Sequence, residues 1–328
     1  MAPVSSLRPV SGTAEEILGL LRAWDAAGDP EPLVIATSGS TGTPKRVVLS
    51  RDAMRASALA TQERLGGPGQ WVLNLPPAYV AGVQVLYRSV VAGTTPVRSL
   101  DEVSGDRTYV SVVPTQLVRA LREDDRRLAR FDAVLVGGGP LAPEVRTEAE
   151  GHGIRVVQTY GMSETCGGCV YDGRALDGVE LRIADEEVQL RGTVLFDGYE
   201  GEPERTAAAF DDGWFRTHDL GVVEDGRLRV TGRRDDVIIS GGVKVPAAAV
   251  ASAISTRLGA DAVVLGVPDE EWGERVVAFV AQHDQVSLKA VRDLVEPREW
   301  APRQVVVLEE IPLLPNGKPD RVLLRSLA

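Results

Sequence analysis

Between residues 31 and 161 the chain alternates short apolar runs with longer amphipathic segments, and this alternation limits its fold more than any other feature. The runs at 33–37, 71–75, 109–113, 133–136 and 154–159 have strand length, and the segments 52–65, 80–91, 115–122 and 143–152 each suit a helix of a few turns. Such repetition is the pattern of an α/β fold with a mainly parallel sheet covered by helices. Ligands of these sheets bind outside the carboxyl ends of the strands. Gly137-Gly138-Gly139-Pro140 and Tyr160-Gly161 each follow a run, so both are expected to line that crevice, although a tight turn would equally explain the glycines. After residue 177 the texture changes to short strands at 179–183, 188–190 and 194–196. A hairpin is expected at 222–230 around Glu224-Asp225-Gly226, and together these form a small β subdomain. A separate α+β unit follows, with helices at 247–258 and 287–295 and strands at 262–267, 276–281 and 305–308.

The most chemically loaded stretch is Thr37-Ser38-Gly39-Ser40-Thr41-Gly42-Thr43-Pro44-Lys45, lying between two apolar runs. Its glycines let backbone N–H groups converge on an anion, its hydroxyls add donors, and Lys45 adds a point charge. It reads as a phosphate-gripping loop. It is not the Walker loop, which needs glycine where this chain has Pro44.

The loop resembles the nucleotide-triphosphate loop of the adenylate-forming superfamily of acyl-CoA ligases, luciferases and peptide-synthetase adenylation domains. Four further stretches resemble motifs of that superfamily, in its order: Tyr160-Gly161-Met162-Ser163-Glu164-Thr165, Trp214-Phe215-Arg216-Thr217-His218-Asp219-Leu220-Gly221, Gly232-Arg233-Arg234-Asp235-Asp236, and Pro315-Asn316-Gly317-Lys318. The resemblance implies a large N-terminal domain (1–232) for ATP and acid, and a small mobile C-terminal lid (233–328) pivoting at Asp235. It implies that Thr37, Ser38, Gly39, Ser40, Thr41, Gly42 and Lys45 hold the β- and γ-phosphates. Tyr160 would stack on adenine, Asp219 and Arg233 would hold the ribose, and Glu164 would hold magnesium. Lys318 would reach both the substrate carboxylate and the α-phosphate. Gly241 and Gly242 would border the coenzyme A channel, where a glycine pair in a hairpin turn is the plainer reading. One departure is His218, where the superfamily usually has glycine.

The expected activity is that of an AMP-forming acid–CoA ligase using ATP, Mg²⁺ and coenzyme A as co-substrate. Within the superfamily the compact first domain and several local stretches resemble actinobacterial o-succinylbenzoate-CoA ligases of menaquinone synthesis. Another aryl- or acyl-CoA ligase, or an enzyme loading a carrier protein, remains an alternative, because Tyr79 stands where relatives commonly have histidine. A non-catalytic scaffold would be expected to lack Lys318, Glu164 or Asp219, and all three are present. Tyr79, Arg88, Thr115, Gln116, Gly138 and Gly161 are the candidates for the acid pocket.

The net charge of −11 argues against a broad basic footprint for nucleic acid or anionic membrane. Polyanionic substrates therefore need local positive charge, which Lys45, Arg46, Arg233, Lys244 and Lys318 supply. No apolar run approaches the roughly 20 residues of a membrane span, and residues 1–10 contain no signal-peptide core. These features point to a cytoplasmic enzyme acting on a small carboxylic acid, with the oligomeric state open between monomer and homodimer. Cys166 and Cys169 form a C-x-x-C, but His152, His218 and His283 are too scattered to complete a metal site with them.

Overall fold

The protein is described by a computed structural model covering residues 7–37, 45–281, 286–314 and 317–328. Its centre is a six-stranded sheet ordered Gln70–Val72, Thr108–Val112, Ala133–Val136, Val156–Met162, Gly167–Tyr171, Arg174–Ala175. The first four strands run parallel and the last two pairings are antiparallel. Successive side chains on a strand point to opposite faces, and both faces here are apolar. Val110, Val112, Val134 and Val136 pack with Leu117, Leu121 and Ala149 of the helices Pro114–Arg122 and Pro143–Gly151. Tyr109, Ala133 and Leu135 pack with Ala60 and Val85 of the helices Arg51–Arg64 and Val80–Ala92 on the other side. This is the α/β fold expected, with helices on both faces of a mainly parallel sheet.

Two local expectations fail. The run Leu33–Thr37 does not join the parallel sheet but pairs antiparallel with Lys45–Leu49, Thr37 standing opposite Lys45. The seven-residue connection 38–44 explains this, since a parallel crossover needs a dozen or more residues. Residues 194–196 form no strand; Leu195 N–H closes a turn on Gly192 C=O at 3.4 Å, Phe196 N–H donates to Glu164 C=O at 3.0 Å, and the Val194 and Phe196 side chains are buried.

The β subdomain orders Phe210–Asp211, Trp214–Glu224, Glu187–Gly192 and Val179–Ala184, with Arg227–Arg233 pairing the long Trp214–Glu224 strand. The expected hairpin is there. Asp225 (φ 51°) and Gly226 (φ 70°) both take the left-handed conformation of a two-residue turn. The C-terminal unit is a second mixed sheet of Val243–Pro246, Val237–Ser240, Gly273–Ala281 and Ala262–Asp269, with Gln304–Leu308 parallel to Gly273–Ala281. It carries its own core, including Val250 and Ile254 of the helix Ala247–Leu258 against Val264 and Val276. An N-terminal helix, Ala14–Ala26, opens with a Thr13/Glu16 capping box and covers the helix Val80–Ala92. Among the described residues no helix is long and apolar enough to cross a membrane.

Candidate active site

At the carboxyl ends of the parallel strands three segments converge. The strand Val156–Met162 runs through Tyr160 and Gly161, with a bulge between them that re-aims the chain. It enters a one-turn 3₁₀ helix, Ser163–Thr165, whose Thr165 Oγ1 accepts from Met162 N–H (2.9 Å) and donates to Gly167 C=O (2.6 Å). That turn presents Glu164, which is 7% exposed and accepts a 2.9 Å hydrogen bond from Tyr199 Oη on Oε1. Lys45 Nζ lies 3.8 Å from the same oxygen. The ends of the loop, Thr37 and Lys45, are thus brought to Glu164's side of the crevice. Ser38, Gly39, Ser40, Thr41 and Gly42 fall outside the described residues.

The second segment is the long subdomain strand carrying Asp219. Pairing places Asp219 opposite Arg233, whose Nη1 donates to Asp219 Oδ1 at 3.0 Å while Tyr160 Oη donates to Oδ2 at 2.7 Å. Asp219 is 5% exposed, and burial pushes its carboxyl above the ordinary aspartate value against the opposing pull of Arg233 and Tyr160. Arg233 also reaches forward, its Nε donating to Asp235 Oδ1 at 2.9 Å. Partial burial raises the Asp235 carboxyl, but the Arg233 contacts outweigh it and the net shift is downward. His218, just before Asp219, has φ 61°, the left-handed region that glycine occupies freely. Its N–H donates to the buried carboxylate of Glu187 at 2.9 Å. The geometry accounts for the usual glycine and shows how histidine is accommodated.

The third segment is the C-terminal loop. Gly317 (φ 79°) sits so close to the strand end at Val113 that an added Cβ would lie 3.3 Å from Val113 Cγ2. This contact seats Lys318 over the crevice, in the electrostatic field of Asp219, Glu164 and Arg233. Solvent still reaches the side chain along the open cleft. Loss of hydration among protein groups pushes its ammonium below the ordinary lysine value; Arg233 adds to the shift, and Asp219 and Glu164 oppose it. Residues from five distant stretches (45, 160–164, 219, 233 and 318) therefore share one cleft.

Among the acid-pocket candidates, Tyr79 is the N-cap residue of the helix Val80–Ala92, without a side-chain cap bond, and Gly138 (φ 81°) borders Val113, the residue that Gly317 approaches. Arg88 is a correction. It is 6% exposed, lies over the Trp71 ring at 5.0 Å and donates to Tyr171 Oη at 3.3 Å. Eight residues beyond Val80, it is roughly 12 Å further down the helix, away from the strand ends. Thr115 is exposed in the first turn of its helix. Gln116 is occupied as a cap, its Oε1 accepting from Val113 N–H at 3.0 Å and its Nε2 donating to Asn74 C=O at 3.4 Å. Gly161 is demanded by packing, because a Cβ there would fall 2.0 Å from Gly167 C=O. Gly241 (φ 58°) and Gly242 (φ 81°) form the turn joining Val237–Ser240 to Val243–Pro246, and a Cβ on Gly241 would strike the Trp272 ring at 2.7 Å. Arg46 is engaged by Glu200 and Lys244 is exposed on its strand. Tyr199 was not singled out in the sequence, since nothing local marks a tyrosine 35 positions away as Glu164's partner.

The cysteines are free and fully buried, and burial pushes both thiols up, Cys169 to about 12. Neither is poised as a thiolate at neutral pH. Among the described residues no three His, Cys, Asp or Glu side chains gather as a metal cage. Magnesium does not require one, being held commonly by one or two carboxylates together with substrate phosphates and water. Glu164 Oε2 makes no hydrogen bond to a described residue and suits that role.

Comparison with known proteins identifies the family. The family described as AMP-binding enzyme matches residues 25–202, and the AMP-binding enzyme C-terminal domain matches residues 252–318. The chain is 40% identical to a probable 2-succinylbenzoate–CoA ligase of Mycobacterium tuberculosis, over 94% of this chain and 88% of that protein. It is 32% identical to the 2-succinylbenzoate–CoA ligase of Listeria monocytogenes, over 98% and 75% of the two chains. Among solved structures it resembles the o-succinylbenzoate CoA synthetase of Bacillus subtilis in complex with the acyl-adenylate intermediate, with TM-score 0.77 and 29% identity over 89% of this chain and 68% of that one. The same enzyme in complex with ATP and magnesium ion gives TM-score 0.77 at 29% identity over 89% and 69%. With both family modules matched in order and the five motif residues gathered in one cleft, the chain belongs to the AMP-binding enzyme family.

Proposed function

We propose that this protein is an ATP-dependent acid–coenzyme A ligase that works through an acyl-adenylate, with 2-succinylbenzoate as its acid. The observation that carries the reading is Lys318 seated over a cleft formed by Asp219, Arg233 and Glu164, with Lys45 at its rim. The acid is assigned from the relatives, two of which bear that activity in their names.

Joining a carboxylate to ATP brings two anions together, so the residues must position them and offset charge. Lys45 and the loop before it hold the β- and γ-phosphates. Asp219 accepts from the ribose hydroxyls, held in place by Arg233 and by the Tyr160 hydroxyl. Glu164 would hold magnesium, which would offset charge on the phosphates. The Lys318 ammonium donates hydrogen bonds to the attacking carboxylate and to the α-phosphate. That oxygen forms the new bond to phosphorus while the bond to the bridging oxygen breaks and pyrophosphate leaves. In the second half-reaction the sulfur of coenzyme A forms the bond to the acyl carbon, the bond from that carbon to the phosphate oxygen breaks to release AMP, and the thiol proton passes to water.

The division at residues 232 and 233, with Asp235 as pivot, belongs to the same proposal and is supported by the separate core of the C-terminal sheet. Gly241 and Gly242 are proposed to border the coenzyme A channel after rotation, and Tyr79 and Gly138 the acid pocket before it. A cytoplasmic location, where ATP and coenzyme A are supplied, completes the reading.

The test is pyrophosphate release across a panel of acids. Kcat/KM for 2-succinylbenzoate should exceed that for benzoate-like and aliphatic monoacids; comparable values would reduce the enzyme to a general acyl-CoA ligase. Arg88→Ala should leave the KM for the diacid unchanged but lower stability by about 2 kcal/mol, because it empties the space between Trp71 and Tyr171. Thermal melts alongside the kinetics check this, and a raised KM without loss of stability would return Arg88 to the acid pocket.

A further inference from the structure

Glu164 does not stand alone, and its partner comes from a part of the chain to which no role has been assigned. Tyr199 Oη donates to Glu164 Oε1 at 2.9 Å, and both residues are 7% exposed. Lys45 Nζ approaches the same oxygen at 3.8 Å and lies 5.4 Å from the centre of the Tyr199 ring. Arg205 also contacts the ring, its guanidinium 5.0 Å from the centroid. The tyrosine is fixed from several sides. Its short strand, Gly198–Tyr199, pairs with the strand that carries Lys45, Tyr199 standing opposite Val47. Its N–H donates to Thr206 Oγ1 at 2.9 Å, and the Phe196 ring packs edge-on at 5.0 Å. Gly198 (φ 149°) lies so near Thr206 that an added Cβ would come within 2.7 Å of Cγ2.

We infer that Tyr199 is a positioning residue for the Glu164 carboxylate: its hydroxyl commits Oε1 and turns Oε2 toward the place where magnesium and the departing pyrophosphate are held. The inference rests on the acyl-adenylate reading and goes beyond it by naming what orients the carboxylate. A buried carboxylate that kept both oxygens unconstrained could rotate, whereas one fixed by a charge-assisted hydrogen bond presents a single oxygen. The ring ties that orientation to Lys45, so the phosphate-loop lysine and the metal-side carboxylate are set by one residue.

The experiment compares Tyr199→Phe with the unmutated protein. This variant keeps the ring, its packing and its contacts with both cations, and removes only the hydroxyl. Titration calorimetry with magnesium and a non-hydrolysable ATP analogue should show binding weakened by about 10- to 100-fold, the usual loss when a partner of a metal ligand is removed. The magnesium concentration for half-maximal adenylation should rise with it, while thioester formation from supplied acyl-adenylate should not change. In a Glu164→Ala background, which leaves the hydroxyl no acceptor, Tyr199→Phe should add no further loss in binding. Unchanged binding in Tyr199→Phe, equal loss in both half-reactions, or a fully additive loss in the Glu164→Ala background would overturn the inference. Failure of the underlying reading looks different: the unmutated protein would then form no acyl-adenylate at all.

Discussion

Replacing Lys318 by alanine is expected to slow acyl-adenylate formation by about 10²-fold or more while leaving thioester formation from supplied acyl-adenylate near its normal rate. The magnitude is that of a single charge-stabilising donor removed from a reacting site. The asymmetry follows from where the lysine sits. Gly317 in its loop lies against Val113, and the proposed rotation about Asp235 would separate them. On that proposal Lys318 leaves the cleft for the second half-reaction, so its loss should not slow that step. The ammonium must carry its proton to offset the α-phosphate, and crowding in the cleft holds it below the ordinary lysine value. A group with a lowered pKa loses its proton earlier as pH rises, so the alkaline limb of adenylation should fall below the usual lysine range. That limb should vanish in Lys318→Ala. Rapid-quench assays of the two half-reactions check both points, and equal losses in a folded variant would contradict the assignment.

Asp219→Ala should raise the KM for ATP by about 10²-fold with a smaller change in kcat. The carboxylate is proposed to accept from two ribose hydroxyls, and a hydrogen bond to a charged group contributes about 1.5–3 kcal/mol. Two of them amount to at least two factors of ten. The same variant removes the acceptor of both Tyr160 Oη and Arg233 Nη1, so the nucleotide side of the cleft loses its organising charge. Selectivity offers a second readout. The unmutated enzyme should prefer ATP over 2′-deoxy-ATP, and the variant should lose much of that preference. Steady-state kinetics with both nucleotides measures this, and an unaltered KM for ATP in a folded Asp219→Ala protein would place the ribose elsewhere.

The parallel sheet was legible because its strands are apolar on both faces and its connecting helices are long. Val110 and Tyr109, adjacent in sequence, serve opposite layers, as a continuous apolar run foretells. The gathering of Lys45, Glu164, Asp219, Arg233 and Lys318 was legible through motif order, not through any local property of those residues. Leu33–Thr37 misled because an apolar run does not announce its direction; the short connection after it held that information. Arg88 misled for a geometric reason. Residues 80, 84 and 88 fall on one stripe of a helix, and only the rise along the axis separates the end at the cleft from the end buried under Trp71. The left-handed backbone at His218 was foreshadowed by its departure from glycine. Tyr199 was not foreshadowed, because its partner is 35 residues away and reached through a strand of two residues.

The central claim, that a carboxylate is activated as an adenylate in this cleft, is tested most directly by incubating the protein with 2-succinylbenzoate, ATP and magnesium without coenzyme A and analysing the products by mass spectrometry. Pyrophosphate and an enzyme-bound 2-succinylbenzoyl-adenylate should form in equal amounts, and later addition of coenzyme A should convert the adenylate to thioester and AMP. Formation of ADP and phosphate, or no turnover of ATP by a folded protein that binds it, would contradict the account.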